Sequence, residues 1–289
     1  MPTHSIILNG SNKVGNNLHQ LEYEFPSSLR LDEAEISLQS ATFYNSFNNV
    51  TAAYGNNSIT FNWPSLIPEI KQISFVDGFY SIESLSEYIH YSNIIHKHYC
   101  LSSDGEFVYF IKLMSNSTTY SADAVFYELP TAAEATALGY TKPEGATWDF
   151  PAASTTPSIT ISSSFGNLIG FNPGVFPSTT GDTISVSSSK TPKINITQSI
   201  ICGCNLANNL FSNSIAIASI PLNAAFGGLV SWTNQNEDNK IPVSPSTYTK
   251  LVLTFMNQDY DYANLLKDSD VVFVLSLTIP AAKKGEDKK

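Results

Sequence analysis

The strongest constraint on the fold is a pattern of short segments, near both ends of the chain, in which apolar and polar residues alternate. In residues 19–26, for example, Leu21, Tyr23 and Phe25 occupy every second position. A period of two places the apolar side chains on one face of a half-buried β-strand. The same pattern recurs in residues 33–47, 56–64, 182–189, 192–203, 212–222, 226–232, 248–259 and 270–280. With three strands before residue 65 and about five after residue 180, it predicts an all-β protein with a single jelly roll, an eight-stranded sandwich.

One segment, FVDGFYSIESLSEYIHYS at residues 75–92, breaks this pattern and predicts a helix. Ser81 is placed to cap that helix, and Ser84 with Glu87 is predicted to form a second capping pair. Apolar residues follow the cap at helical spacing: Ile82, Leu85, Tyr88 and Ile89. We expect Ile82, Leu85 and Ile89 to face the sheet of the surrounding segment.

The region around the helix mixes helices and strands. It contains a hairpin-like pair at 96–103 and 105–114, a short helix at 132–140 and a strand at 158–164. Gly139 and Gly170 are predicted to end helices, because glycine accepts the left-handed conformation there. We therefore predict an α+β domain of residues 65–178, inserted into a jelly-roll domain of residues 1–64 and 179–280 and followed by a mobile tail of residues 281–289.

The composition limits the classes of partner. Charged residues make up only 14% of the chain and the net charge is −10, which argues against nucleic-acid binding. No stretch is long and apolar enough for a membrane-spanning segment. A surface of hydroxyl and amide groups suits permanent protein contacts, because such groups cost less to desolvate than charges. Cys100, Cys202 and Cys204 are expected to be buried thiols in a reducing compartment.

Two clusters raise the question of a metal site. On a strand, His96, His98 and Cys100 would point to one face, a geometry that zinc can use, although a fourth ligand is not evident. Carboxylates that could gather calcium stand near the end of the chain, but their spacing is not that of an EF-hand loop: Asp259, Asp261, Asp268 and Asp270. The sequence contains no nucleophile elbow, HExxH, phosphate loop or dinucleotide fingerprint. We therefore predict no enzyme activity, no cofactor and no catalytic, cofactor-binding or metal-binding residues.

Four stretches of the chain resemble minor capsid (penton) proteins of virophages and Polinton-like viruses, of the mavirus type. They are the opening residues 8–50, the helix entry DGFYSIESL at 77–85, the turn LIGFNPGVFP at 168–177 and the closing residues 248–280. The resemblance implies a structural capsid protein, a single jelly roll that forms homopentamers at icosahedral vertices. It also implies capsomers of a major capsid protein as neighbours, a location in the virion, assembly in the host cytoplasm and insertions between the jelly-roll strands.

Two other classes of function stay open. One is a carbohydrate- or receptor-binding β-sandwich module of a viral attachment protein, which would need exposed aromatic residues on a sheet face or in loops. The other is a hydrolase on a β scaffold, which would need a cleft with converging acidic residues.

Overall fold

The computed structural model describes residues 2–210, 212–236, 239–267 and 269–280. The chain forms two compact units, one of Met1–Phe47 with Thr197–Lys289 and one of Asn48–Ile196. The predicted mobile tail, residues 281–289, lies outside the described residues.

The described residues contain eighteen strands and three α-helices. The strands are β1 Thr3–Asn9, β2 Gln20–Leu31, β3 Glu35–Tyr44, β4 Ser58–Trp63, β5 Glu69–Ser74, β6 Cys100–Leu101, β7 Phe107–Val108, β8 Ile111–Asn116, β9 Ser121–Phe126, β10 Ser158–Ile161, β11 Gly174–Phe176, β12 Ile184–Ser187, β13 Ser199–Cys204, β14 Ala216–Pro221, β15 Leu229–Thr233, β16 Ile241–Pro242, β17 Ser246–Met256 and β18 Val272–Thr278. The helices are α1 Ile82–His96, α2 Ala132–Leu138 and α3 Ser163–Ile169.

The first unit is a jelly roll, as the alternating segments predict. One antiparallel sheet has the order β1-β18-β3-β15, with the short β16 also pairing with β3, and the other has the order β14-β13-β17-β2. If its eight long strands are lettered B to I in chain order, these sheets read B-I-D-G and F-E-H-C. That order is the jelly-roll topology, in which two Greek keys form a double sheet.

The core of the jelly roll lies between the inward faces of the two sheets. Alternate residues of β17, such as Leu251, Leu253 and Phe255, are fully buried there. The Phe273 ring of β18 contacts the Phe255 ring with centroids 4.7 Å apart and stacks on the Phe43 ring at 6.1 Å. The contact between Phe273 and Phe255 joins the two sheets, and the core also encloses the cysteines of β13.

Two segments that the sequence assigned to the jelly roll belong to the second unit, so the predicted boundaries at residues 64/65 and 178/179 need correction. Strand β4 pairs with β5 and β10, and β12 pairs with β9. The division falls instead at 47/48 and 196/197. Alternation reveals which face of a strand is apolar but not which sheet receives it, so both segments fitted either unit.

The jelly-roll strand that the sequence prediction lacked is β1. Its apolar residues Ile6, Ile7 and Leu8 are consecutive, and this run hides the period of two. In the structure Ile6 and Leu8 face the core, while Ile7 is exposed.

The second unit, called the inserted unit below, enters the connection between β3 and β13. It contains a sheet of order β11-β10-β4-β5, a sheet of order β12-β9-β8 and the hairpin β6-β7. The predicted hairpin, strand and short helix of this region are thereby confirmed as β6-β7, β10 and α2. Gly139 and Gly170 end α2 and α3 with φ values of 71° and 81°, as predicted.

Helix α1 begins where the sequence predicts. Ser81 is its N-cap, and its Oγ accepts a hydrogen bond from the Ser84 backbone N–H at 3.1 Å. Ser84 returns the contact, because its Oγ accepts a hydrogen bond from the Ser81 N–H at 2.7 Å. The predicted second capping pair of Ser84 with Glu87 is therefore wrong, because Ser84 already completes the capping box of Ser81. Ile82, Leu85 and Ile89 are buried in the core of the inserted unit.

Three side chains of α1 form hydrogen bonds to the backbone along the free edge of β8. The Ser86 Oγ accepts a hydrogen bond from the Leu113 N–H at 2.9 Å, and the Glu83 carboxylate accepts one from the Ser115 N–H at 3.0 Å. The His90 Nε2 donates to the Ile111 carbonyl at 2.7 Å. Residues at positions i, i+3 and i+7 of the helix thus bind alternate residues of an edge strand. The helix satisfies backbone groups that would otherwise be open to another strand.

We expect Leu85→Ala to lower the free energy of unfolding of the inserted unit by about 2–5 kcal/mol, because it leaves a cavity in a closed core. Unfolding is followed by tryptophan fluorescence, since Trp63 and Trp148 lie in this core. Ile95→Ala on the same helix is the control, because the Ile95 side chain is 57% exposed. Equal melting of the two variants would contradict the packing of α1.

We also predict that the inserted unit is separable at its observed boundaries. Replacement of residues 48–196 by a Gly-Ser linker should leave a soluble, β-rich protein with a cooperative unfolding transition. Replacement of residues 65–178 should give an aggregating protein, because β4 and β12 then lose their partners. Circular dichroism and size-exclusion chromatography distinguish the two products, and loss of folding in the first deletion would contradict separability.

Candidate assembly surface

The outward face of the first jelly-roll sheet carries no charge over ten neighbouring positions. These residues alternate with the core residues of β1, β18, β3 and β15. We call the set the uncharged face: Ile7, Asn9, Ser40, Thr42, Tyr44, Leu229, Ser231, Thr233, Val272 and Val274.

Strand register places the members of the uncharged face side by side. One row crosses the sheet from Ile7 through Val274 and Ser40 to Thr233. The next row runs from Asn9 through Val272 and Thr42 to Ser231, and Tyr44 lies opposite Leu229. The face therefore combines aliphatic side chains with hydroxyl and amide groups. Such a face can be desolvated without the removal of a charge from water.

The outward face of the second sheet has a different character. Lys250 forms an ion pair with Glu22 at 2.9 Å, and it lies opposite Glu24 in the strand register. Farther across the sheet, a small apolar cluster separate from the core contains Ile201, Ala216 and Met256, with Ile215 packed against it. The two outward faces of the jelly roll therefore differ in charge.

The structure does not bring His96, His98 and Cys100 together as ligands. The strand that would align them does not exist, because α1 ends at His96 and Lys97 adopts a left-handed conformation with φ 60°. Cys100 then opens β6, where burial raises the pKa of its thiol to about 12. Among the described residues, no group of three histidine, cysteine or acidic side chains is placed to hold a metal ion.

His98 is instead part of a buried aromatic cluster. Its ring stacks on Trp63 with centroids 5.2 Å apart and planes 10° apart. Its Nε2 lies 3.2 Å from a carboxylate oxygen of Glu69, while its Nδ1 is buried and has no hydrogen-bond partner among the residues that the structure describes. Burial outweighs the attraction of Glu69 and lowers the pKa of His98 to about 4. The imidazole is therefore neutral at neutral pH, and its Nε2–H donates to Glu69.

Of the acidic residues near the end of the chain, Asp259 and Asp261 lie in a turn after β17, and Asp270 lies just before β18. The backbone N–H groups of Asp259 and Asp261 both donate to the Asn257 side-chain oxygen, at 2.9 Å and 3.0 Å. The Asn257 side chain thus holds this turn together. Asp268 lies outside the described residues.

The cysteines are free and buried, which confirms the prediction made from their number and spacing. Burial raises the pKa of the Cys204 thiol to about 12, and that of Cys202 rises as well. Both side chains therefore pack in the jelly-roll core as small apolar groups.

Sequence reasoning missed the uncharged face. Its outward residues are those that lie between the buried residues of each strand. In β3, for example, Thr42 and Tyr44 alternate with the buried Ala41 and Phe43. The phase within β3 and β15 could have been read from the sequence, whereas the apolar run of β1 hides it. The alignment of four such strands required the sheet order.

None of the described helices has the length and apolar character needed to cross a membrane.

Acid should destabilise the inserted unit through His98. Its pKa is about 4 in the folded chain and about 6.5 when unfolded, so stability is full above pH 6.5 and is lost as the pH falls toward 4. Between pH 7.5 and pH 5.0, we expect a loss of about 2 kcal/mol that His98→Gln does not show. Chemical unfolding of both proteins at the two pH values measures the difference, and equal losses would contradict the assignment.

The chain was compared with known proteins. No protein-family model matches it, and no curated protein matches it. Among solved structures, it is similar to the crystal structure of the SeMet-labelled mavirus penton protein, with 10% identity, a TM-score of 0.46 and coverage of 96% of each chain. It is also similar to a chain in the cryo-EM structure of the Sputnik virophage, with 9% identity, a TM-score of 0.43 and coverage of 96% of this chain and 97% of that one.

Proposed function

We propose that this chain is a structural capsid protein whose jelly rolls pack side by side into homopentamers at the vertices of an icosahedral virion. The observation that carries the proposal is the uncharged face on a jelly-roll sheet. Jelly rolls serve as viral capsid domains, lectin domains and cupins. A broad sheet face without charge favours the first of these, because it suits burial against another protein surface.

The proposed occupant of the uncharged face is a second copy of the chain. A closed ring of identical subunits needs head-to-tail contacts, in which one surface of a subunit meets a different surface of the next. The jelly roll has two unlike outward faces, one uncharged and one with the Lys250–Glu22 ion pair. That asymmetry supports a head-to-tail contact. The number five rests on the resemblance of the sequence to penton proteins, since the fold alone does not fix the closing angle.

The other parts of the proposal also rest on that resemblance. The neighbours of the ring would be capsomers of a major capsid protein, the location would be the virion and assembly would take place in the host cytoplasm. We propose a purely structural role, without enzyme activity or cofactor. The low charge of the whole chain supports permanent contacts, because most of its polar surface is hydroxyl and amide.

Cryo-EM of the virions tests the location. We expect density for this chain as one ring at each fivefold vertex. Density in the capsomers between the vertices, or absence of the chain from particles, would contradict the proposal.

A charge on the uncharged face should prevent ring formation. Ile7 is 60% exposed, so Ile7→Glu should fold normally, yet it would place an unpaired carboxylate in the contact. We expect native mass spectrometry of concentrated protein to show five-chain rings for the wild type and only the 31.5 kDa monomer for the variant. Ile70→Glu is the matched control, because Ile70 is 69% exposed and lies on β5 of the inserted unit. Rings that persist in Ile7→Glu would contradict the role of this face.

A further inference from the structure

The inserted unit contains a cleft of about 600 Å³ lined by both aromatic and polar side chains. We call it the aromatic cleft: His90, Phe107, Tyr109, Lys112, Tyr127, Glu128, Leu138, Tyr140 and Thr183 are among its lining residues. Its volume falls within the range of about 300–1,000 Å³ that is typical of ligand sites. All of its lining residues belong to the inserted unit.

The Tyr109 ring in the lining of the cleft is held in place by neighbouring side chains. The Tyr109 ring stacks on His90 with centroids 4.1 Å apart and planes 2° apart. His90 is fixed in turn by its hydrogen bond to the Ile111 carbonyl, a contact that α1 makes with the edge of β8. Phe107 lies next to Tyr109, with planes 8° apart and centroids 6.2 Å apart, and it is 50% exposed. The cleft thus presents a fixed, partly exposed aromatic surface, which lowers the cost of ordering on binding.

The polar side chains of the cleft have unused hydrogen-bonding capacity. Within the described part of the chain, the Lys112 ammonium and the Glu128 carboxylate have no hydrogen-bond or ion-pair partner. The backbone of Glu128 is nevertheless fixed, since its N–H donates to the Thr183 hydroxyl at 3.1 Å. Burial lowers the pKa of His90, so the imidazole is neutral at neutral pH. Besides the neutral His90, the lining thus contains one positive side chain, Lys112, and one negative side chain, Glu128, so its net charge is zero.

We propose that the aromatic cleft binds a neutral glycan through one pyranose ring. The apolar C–H face of a pyranose would lie on the Phe107 and Tyr109 rings, while its hydroxyl groups would bond Glu128 and Lys112. A carboxylate accepts hydrogen bonds from two neighbouring hydroxyl groups, and an ammonium donates to a third. A purely apolar ligand would leave both charged groups without partners, at a cost in desolvation. The balance of charge favours a neutral sugar over an acidic one.

Saturation-transfer NMR on the full-length protein tests the proposal with four neutral disaccharides as probes: cellobiose, lactose, mannobiose and chitobiose. Adenosine and 3′-sialyllactose serve as comparators. We expect at least one neutral disaccharide to bind at millimolar concentration. We expect Phe107→Ala to weaken that binding about tenfold, because it removes the exposed part of the stacking surface. Glu128→Gln should also weaken it, because it removes a charge-assisted acceptor.

Tyr120→Ala is the matched control, because Tyr120 is an aromatic residue of the same unit that is 75% exposed and does not line the cleft. Its binding should equal that of the wild type. Absence of binding by all four neutral disaccharides would overturn the proposal, as would equal binding by Phe107→Ala and the wild type. Tighter binding of adenosine would identify a site for planar aromatic ligands, and tighter binding of 3′-sialyllactose than of lactose would contradict a neutral ligand. The test concerns the inserted unit alone, so its outcome does not depend on ring assembly.

Discussion

The jelly roll depends on the antiparallel pairing of its last strand with its first and third strands. Strand β18 lies between β1 and β3, so the first sheet is complete only when β18 has paired with both of them. The same strand supplies Phe273, which contacts the Phe43 and Phe255 rings and so joins the sheets. Because this pairing joins segments that are far apart in the chain, the connections between the strands can vary in length. The entropic cost of a longer connection rises only slowly with its length, and the link from β3 to β13 therefore tolerates a whole second unit.

The second unit protects one edge of a sheet with α1, the longest of the described helices. A three-stranded sheet ends at β8, whose free edge could pair with another chain. Glu83, Ser86 and His90 of α1 bond the backbone groups of this edge, while Leu85 on the same helix fills the core. The same helix thus protects the edge of β8 and completes the core of the inserted unit. By fixing His90, it also supports the Tyr109 ring in the wall of the aromatic cleft.

Several features could be predicted from the sequence because their causes are local. Ser81 begins α1, Gly139 and Gly170 end the shorter helices, and the alternating segments at both ends of the chain form strands. The errors arose where a local pattern has two outcomes. The segment around His98 could be read as a strand or as the end of a helix. In the structure α1 extends to His96, so the predicted strand does not form. The apolar neighbours of His98 in space, above all Trp63, come from a distant strand.

The sequence by itself determined the class of the fold, the position of α1, the burial of the cysteines and the low charge that leaves sheet faces free for contact. These properties follow from composition and from periods of two or about 3.6 residues, which each segment carries alone. Only the tertiary structure decided which sheet receives β4 and β12, how four strands align their uncharged residues into one face, and where His98 lies. Each of these depends on pairing between segments far apart in the chain. Such pairing is chosen by the total burial of both partners rather than by the pattern within either one.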